Sequence, residues 1–225
     1  MTAVIFDIDG TICDSTKVDD KCFMSAFKKV FGIDILNSDW SEFPNVTDWG
    51  ISEEIILKEQ SRYPTEQEYH NMILEFTRLL KYEAINGKDQ FKEIDGALEF
   101  IKLLKDDLGI AVGIATGSWK NSALIKLEAI GIDINEYAFS NCSHFKKREE
   151  ILSDAIRQLN EKHKNSIERI IYFGDGLWDF KTCKNLGIEF IGIDHHQNGK
   201  LKIAGASIVF PDFKKSDIII DQLKL

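Results

Sequence analysis

Apolar positions along the chain follow two rhythms. Short, almost unbroken apolar or β-branched runs occupy residues 3–8, 111–115, 137–140, 169–173, 189–193 and 207–210. They are too continuous for strands with one wet face, and they predict a parallel sheet covered on both sides. Between them, apolar residues recur at helical spacing. GALEFIKLLKDDLG sets Leu98, Ile101, Leu104 and Leu108 on one stripe. NSALIKLEAIG closes on Gly131, and REEILSDAIRQLNEKHK carries Ile151, Leu152, Ala155, Ile156 and Leu159. Strands alternating with helices predict an α/β fold with a doubly wound, mostly parallel, Rossmann-like sheet.

One stretch breaks the alternation. From about residue 16 to 88 the pattern is helical throughout. Val18, Cys22, Ala26, Phe27 and Val30 form a stripe that ends at Gly32. Ile51, Ile55 and Ile56 predict a second helix, and Thr65 with Glu68 a capping box for a third. The expected organisation is a core of residues 1–15 and 89–225 with a helical cap of residues 16–88 between them. An insert at the carboxyl end of the first strand stands over the sheet edge where doubly wound proteins bind ligands. Phe23, Phe27, Trp40 and Phe43 are expected in the core of the cap.

Composition narrows the field. The chain has 225 residues, 44% of them hydrophobic, and a net charge of −9, which argues against nucleic acid as a partner. No apolar run reaches the ~20 residues of a membrane helix, and no basic flank precedes the run at Ala3, so a cytoplasmic location is expected. Four cysteines without metal-like spacing are expected as reduced thiols.

The candidate chemistry sits where apolar runs end. VIFDIDGT places Asp7 and Asp9 around the end of the first run, followed by a turn on Gly10 and by Thr11, whose hydroxyl and N–H are available to an anion. IATGSWK ends a strand in Thr116, Gly117 and Ser118, a phosphate-binding or simply helix-capping pattern. SHFKKREEIL puts Lys146, Lys147 and Arg148 at a helix start, where cations oppose the dipole and want an anion to hold. YFGDGLWDF sets Asp175 and Asp179 beyond another strand, where they can complete an oxygen-rich Mg²⁺ site with Asp7 or Asp175 can simply cap a helix. His195 and His196 are adjacent in a loop, where side chains rarely converge, and a turn is expected there.

DIDGT, ATGS, the Lys146 region and GDGLWD together resemble the four motifs of the haloacid dehalogenase-like hydrolases, in the branch of phosphoglycolate phosphatase and β-phosphoglucomutase with a helical cap. The resemblance covers the whole chain. It implies a Mg²⁺-dependent phosphatase acting on a small phosphorylated metabolite, as a monomer or homodimer, through an aspartyl-phosphate on Asp7. It also implies Asp9 as acid and base, Thr116 and Lys146 on the phosphoryl oxygens, and Thr11, Gly117 and Ser118 at the substrate. Metal ligands would be Asp7, the carbonyl of Asp9 and Asp175, with Asp179 supporting them. Lys147 and Arg148 are the alternatives to Lys146. A phosphatase is favoured over dehalogenation because halide needs no proton from an acid at position 9. The cap segment FPNVTDWGISEEI offers Thr47, Asp48 and Trp49 but no arginine, which weakens the sugar-phosphate mutase alternative. An intact Asp9 likewise disfavours a non-catalytic phosphate-binding module. Lys17, Lys58 and Arg62 are the cap's candidate basic residues for substrate choice.

Overall fold

The structure, a computed structural model, describes residues 1–37, 39–87 and 90–225. Six parallel strands form the sheet: β1 (Thr2–Phe6), β4 (Ala111–Thr116), β5 (Ala138–Asn141), β6 (Arg169–Gly174), β7 (Glu189–Ile193) and β8 (Val209–Phe210), in the order β5-β4-β1-β6-β7-β8. These are the predicted runs, with ends displaced by a few residues. β1 stops at Phe6, so Ile8 and both acids lie beyond the strand.

β1 is central, with Phe6 in register with Ile114 of β4 on one side and Phe173 of β6 on the other. Alternation along β1 sends Ala3 and Ile5 into one core layer and Val4 and Phe6 into the other. In the second layer Phe6, Phe173, Phe100 and Phe213 pack ring on ring, the Phe6–Phe173 centroids 5.1 Å apart. Helices α4 (Ala97–Lys102), α5 (Lys120–Ala129), α6 (Arg148–Lys162), α7 (Leu177–Leu186), α8 (Lys200–Ile203) and α9 (Ser216–Leu223) belong to the same core. The stripe predicted for α4 is shifted: Ala97, Phe100, Ile101 and Leu104 are buried, whereas Leu108 is exposed. The helix widens into a π-type turn over Leu103–Asp107, which moves Leu108 out of phase.

Three helices, α1 (Thr16–Phe31), α2 (Asp48–Gln60) and α3 (Glu66–Asn86), form the cap. Gly32 ends α1 in the left-handed conformation, and the Thr65–Glu68 capping box opens α3. The passages into and out of the cap pair with each other as β2 (Cys13–Asp14) and β3 (Lys92–Glu93), antiparallel strands too short to show as a pattern. The expected outer cap boundary at Lys88 and Asp89 lies outside the described residues. Trp119, from the core, packs on Phe23 and Phe76 of the cap, with centroids 6.2 and 6.1 Å away. Cap and core thus share an apolar contact directly above the carboxyl ends of β1 and β4. Among the described residues no helix is long and apolar enough to cross a membrane.

Candidate active site

β1, β4 and β6 are neighbours, so the segments leaving their carboxyl ends meet in the crevice of the sheet. The Asp7 N–H donates to the Phe173 carbonyl at 2.9 Å, which fixes the acid just past the strand. Gly10, at φ 74°, turns the chain away, and a Cβ there would lie 2.1 Å from Asp175 Oδ2. Glycine is what lets the Asp175 carboxylate close on the first loop. One carboxylate oxygen from each of Asp7, Asp175 and Asp179 falls within 4.8 Å of the others. Burial and the neighbouring Asp179 raise the Asp7 pKa to about 8 despite the opposing Arg148, and burial likewise raises Asp175. Asp7 Oδ1 and Asp175 Oδ1 are buried without a hydrogen-bond partner. An all-oxygen anionic set with orphaned lone pairs fits a hard divalent ion such as Mg²⁺.

Of the three adjacent bases, the structure brings Arg148 to this group, not Lys146. Arg148 Nη1 donates to Asp179 Oδ1 at 2.6 Å and lies 3.9 Å from Asp7 Oδ1, and its Nε donates to the Val46 carbonyl at 2.6 Å. Its guanidinium stands 5.6 Å from the Trp178 ring and against the bare Cα of Gly117, where a Cβ would sit 2.6 Å from Nη2. Lys146 turns outward and pairs with Glu53 of α2, while its carbonyl accepts from Thr47 Oγ1 at 2.8 Å. Lys147 stands at the N-cap of α6. The cap, by taking the Lys146 backbone at Thr47 and its side chain at Glu53 of α2, leaves Arg148 as the base that faces inward. Asp179, expected to orient water or Lys146, instead binds Arg148 and accepts from the Gly176 N–H at 3.0 Å.

A second cluster surrounds Asp9. Its carboxylate accepts from Ser15 Oγ at 2.5 Å, Ser118 Oγ at 3.0 Å and Lys126 Nζ at 2.7 Å. Lys126 is fully buried on α5, bonds Ser118 Oγ at 2.9 Å and pairs with Asp19 of α1 at 2.5 Å. Asp48 of α2 accepts the Trp119 N–H at 2.8 Å and donates its own N–H to the Gly117 carbonyl at 2.8 Å. Burial raises Asp48 to about 6 against the pull of Lys126. Lys126 was not singled out from the sequence: it sits inside an ordinary amphipathic helix. Its position eight residues after Ser118, with acid partners from the first loop and from the cap, carries no local signal.

Between the two clusters lies a cavity of about 100 Å³, lined by Asp7, Asp9, Thr116, Gly117, Ser118, Arg148 and Asp175 below and by cap residues above. The chain matches a family model for haloacid dehalogenase-like hydrolases over residues 4–193. It belongs to that family. None of the curated proteins compared matches it significantly. Three solved structures share the fold across nearly the whole length. A hydrolase from Pseudomonas syringae is 19% identical, with 99% of each chain covered and a TM-score of 0.78. A β-phosphoglucomutase from Clostridium difficile is also 19% identical, covering 99% of this chain and 96% of that one, with a TM-score of 0.73. A predicted phosphoglycolate phosphatase from Haemophilus somnus is 17% identical, covering 98% and 97%, with a TM-score of 0.68.

Within this haloacid dehalogenase-like site, two expectations need correction. Thr11 does not reach the cavity: it is fully buried, and its N–H is spent on the Ile8 carbonyl at 3.2 Å inside the turn. The Ser118 hydroxyl is spent on Asp9, which makes it a positioning group rather than a substrate donor. Thr116 Oγ1 accepts the Ser118 N–H at 3.2 Å, which leaves its proton to donate into the cavity. Elsewhere, His195 and His196 do converge, with ring centroids 3.8 Å apart and His195 Nε2 3.4 Å from Asp14 Oδ1.

Proposed function

We propose that the protein is a Mg²⁺-dependent phosphatase that hydrolyses a small phosphomonoester through an aspartyl-phosphate on Asp7. The observation that carries this reading is Asp7 Oδ1, buried without a hydrogen bond, on a residue that lines the cavity beside Arg148 and Asp175. Mg²⁺, held by Asp7, Asp175 and the Asp9 carbonyl, would keep Asp7 ionised and withdraw charge from the phosphoryl oxygens.

In the first half-reaction the Asp7 carboxylate attacks phosphorus as the ester P–O bond breaks. Arg148 and the Thr116 hydroxyl hold the phosphoryl oxygens, and Asp9 gives a proton to the leaving oxygen. In the second, Asp9 takes a proton from water as that water attacks phosphorus, releasing phosphate and restoring Asp7. Lys126, Ser15 and Ser118 fix the direction of the Asp9 carboxylate throughout. Among the described residues the cavity wall from the cap brings no arginine to steady a second phosphate, which favours the hydrolase over the mutase.

The test is turnover of a panel of phosphomonoesters with and without Mg²⁺. Activity is expected only with the metal, and Asp7→Asn should lower it by roughly 10⁴-fold or more while the melting temperature is retained. Wild-type rates in Asp7→Asn would remove the nucleophile assignment. Silence of the whole panel with the metal bound would favour a phosphate-binding module.

A further inference from the structure

Resting on the phosphatase reading, we propose that this site selects small alkyl phosphomonoesters whose leaving group is uncharged or carries an ammonium, and rejects those bearing a carboxylate or second phosphate.

Charge on the two ends of the cavity carries the argument. At the phosphate end, Arg148 stands beside Asp7 and Asp175, the carboxylates that would hold a divalent ion there. At the other end the wall is made by the cap, from α1 and from the loop and first turn of α2. It presents Asp19, Asp20 and Asp48, together with the rings of Phe23 and Trp40. Trp40 Nε1 donates to Asp20 Oδ1 at 2.7 Å, which fixes that carboxylate in the wall. The cation at this end, Lys126, has no exposed surface and is engaged by Asp9 and Asp19.

Among the described residues, no lysine or arginine other than Arg148 lines the cavity. The cap bases that might have served face elsewhere: Lys17 is exposed outside, Lys58 lines a different surface groove, and Arg62 pairs with Glu68. A second anionic group on the substrate would therefore be desolvated against carboxylates with nothing to compensate it. An ammonium would be met by those carboxylates and by aromatic faces, and a hydroxyl by their acceptor oxygens. This is discrimination by repulsion, built from Asp20 together with Asp19 and Asp48, two of the three acids around Lys126.

The experiment compares kcat/KM with Mg²⁺ for phosphoethanolamine, glycerol phosphate and phosphoglycolate, with p-nitrophenyl phosphate as the reference for a working enzyme. The first two are expected to exceed phosphoglycolate by at least about tenfold. Asp20→Asn keeps an acceptor for Trp40, and it should shrink the phosphoethanolamine-to-phosphoglycolate ratio by about threefold or more, with the melting temperature reporting that the fold is intact. Phosphoglycolate turned over as well as the others, or a ratio unmoved by Asp20→Asn, would overturn the proposal and leave the phosphatase reading standing. No hydrolysis of any ester, p-nitrophenyl phosphate included, would instead overturn the phosphatase reading itself.

Discussion

The two halves of the site are built to the same recipe and finish differently. Around Arg148 stand Asp7, Asp175 and Asp179; around Lys126 stand Asp9, Asp19 and Asp48. Each is one buried cation among three acids. In the first, Asp7 Oδ1 and Asp175 Oδ1 remain without hydrogen bonds. In the second, Asp9 receives three, and Asp19 Oδ1, though it too accepts no hydrogen bond of good geometry, lies 2.5 Å from the Lys126 ammonium. The first half is thus left short of positive charge and open to a metal and a phosphoryl group. The second spends its charge internally, on holding one carboxylate and tying it to the cap. Arginine and lysine divide accordingly: the planar fork of Arg148 serves Asp179 and the Val46 carbonyl at once, and the Lys126 ammonium sits as a point charge among carboxylates.

The largest effect of breaking this contrast should come from Arg148. Arg148→Met removes the cation beside Asp7 and leaves Asp179 buried and unpaired. Turnover should fall on the order of 10²–10³-fold, as when a preorganised donor to a developing charge is lost. Lys146→Met, which loses only the contact to Glu53 at the cap surface, should stay within about threefold. Measuring both with one substrate tests the assignment. A large loss in Lys146→Met with a small one in Arg148→Met would reverse it, returning the phosphoryl contact to the residue expected from the resemblance.

How much of this was legible beforehand follows from where each signal is stored. The strands showed because continuous apolar runs such as residues 111–115 have one physical reading. The acids showed because Asp7, Asp9, Asp175 and Asp179 cluster in glycine-bearing turns at the ends of such runs, a local pattern. Which of Lys146, Lys147 and Arg148 faces inward is not local. It depends on Thr47 and Val46, about a hundred positions away, which take the Lys146 and Arg148 groups through the bonds described above. Lys126 is less local still, because its partners come from the first loop, from α1 and from α2. The strands β2 and β3 were missed because two residues carry no periodicity.

Lys126 offers the next test. Lys126→Met leaves Asp9 and Asp19 without their buried countercharge, and breaking such a pair from one side costs about 3–5 kcal/mol. The melting temperature should drop accordingly, and adding Asp19→Asn should recover part of it, because the two share one interaction. The comparison sharpens in the kinetics of whatever folds. If this half serves to aim Asp9, the loss should be greater for alkyl phosphates, whose leaving oxygen needs a proton, than for p-nitrophenyl phosphate, whose leaving oxygen does not. An equal loss for both substrates would reduce Lys126 to scaffold.

The smallest expected effect separates the halves by pH. Asp48 belongs to the cap, lies outside the group of Asp7, Asp175 and Asp179, and has its pKa raised from 3.8 to about 6, chiefly by burial. A carboxyl that is harder to ionise folded than unfolded holds its proton in the folded state while the unfolded chain has already released its own. Its contribution to stability is therefore fully present below pH 3.8 and is lost as pH rises through about 6. Asp48→Asn keeps an acceptor for the Trp119 N–H and carries no proton to lose. Relative to wild type it should gain stability on going from pH 4 to pH 7, read as a widening difference in melting temperature between the two proteins. The same pair compared from pH 7 to pH 9 should run parallel. A difference that stays flat from pH 4 to 7, or reverses sign, would mean that Asp48 is already ionised at low pH and that Lys126 serves all three carboxylates equally.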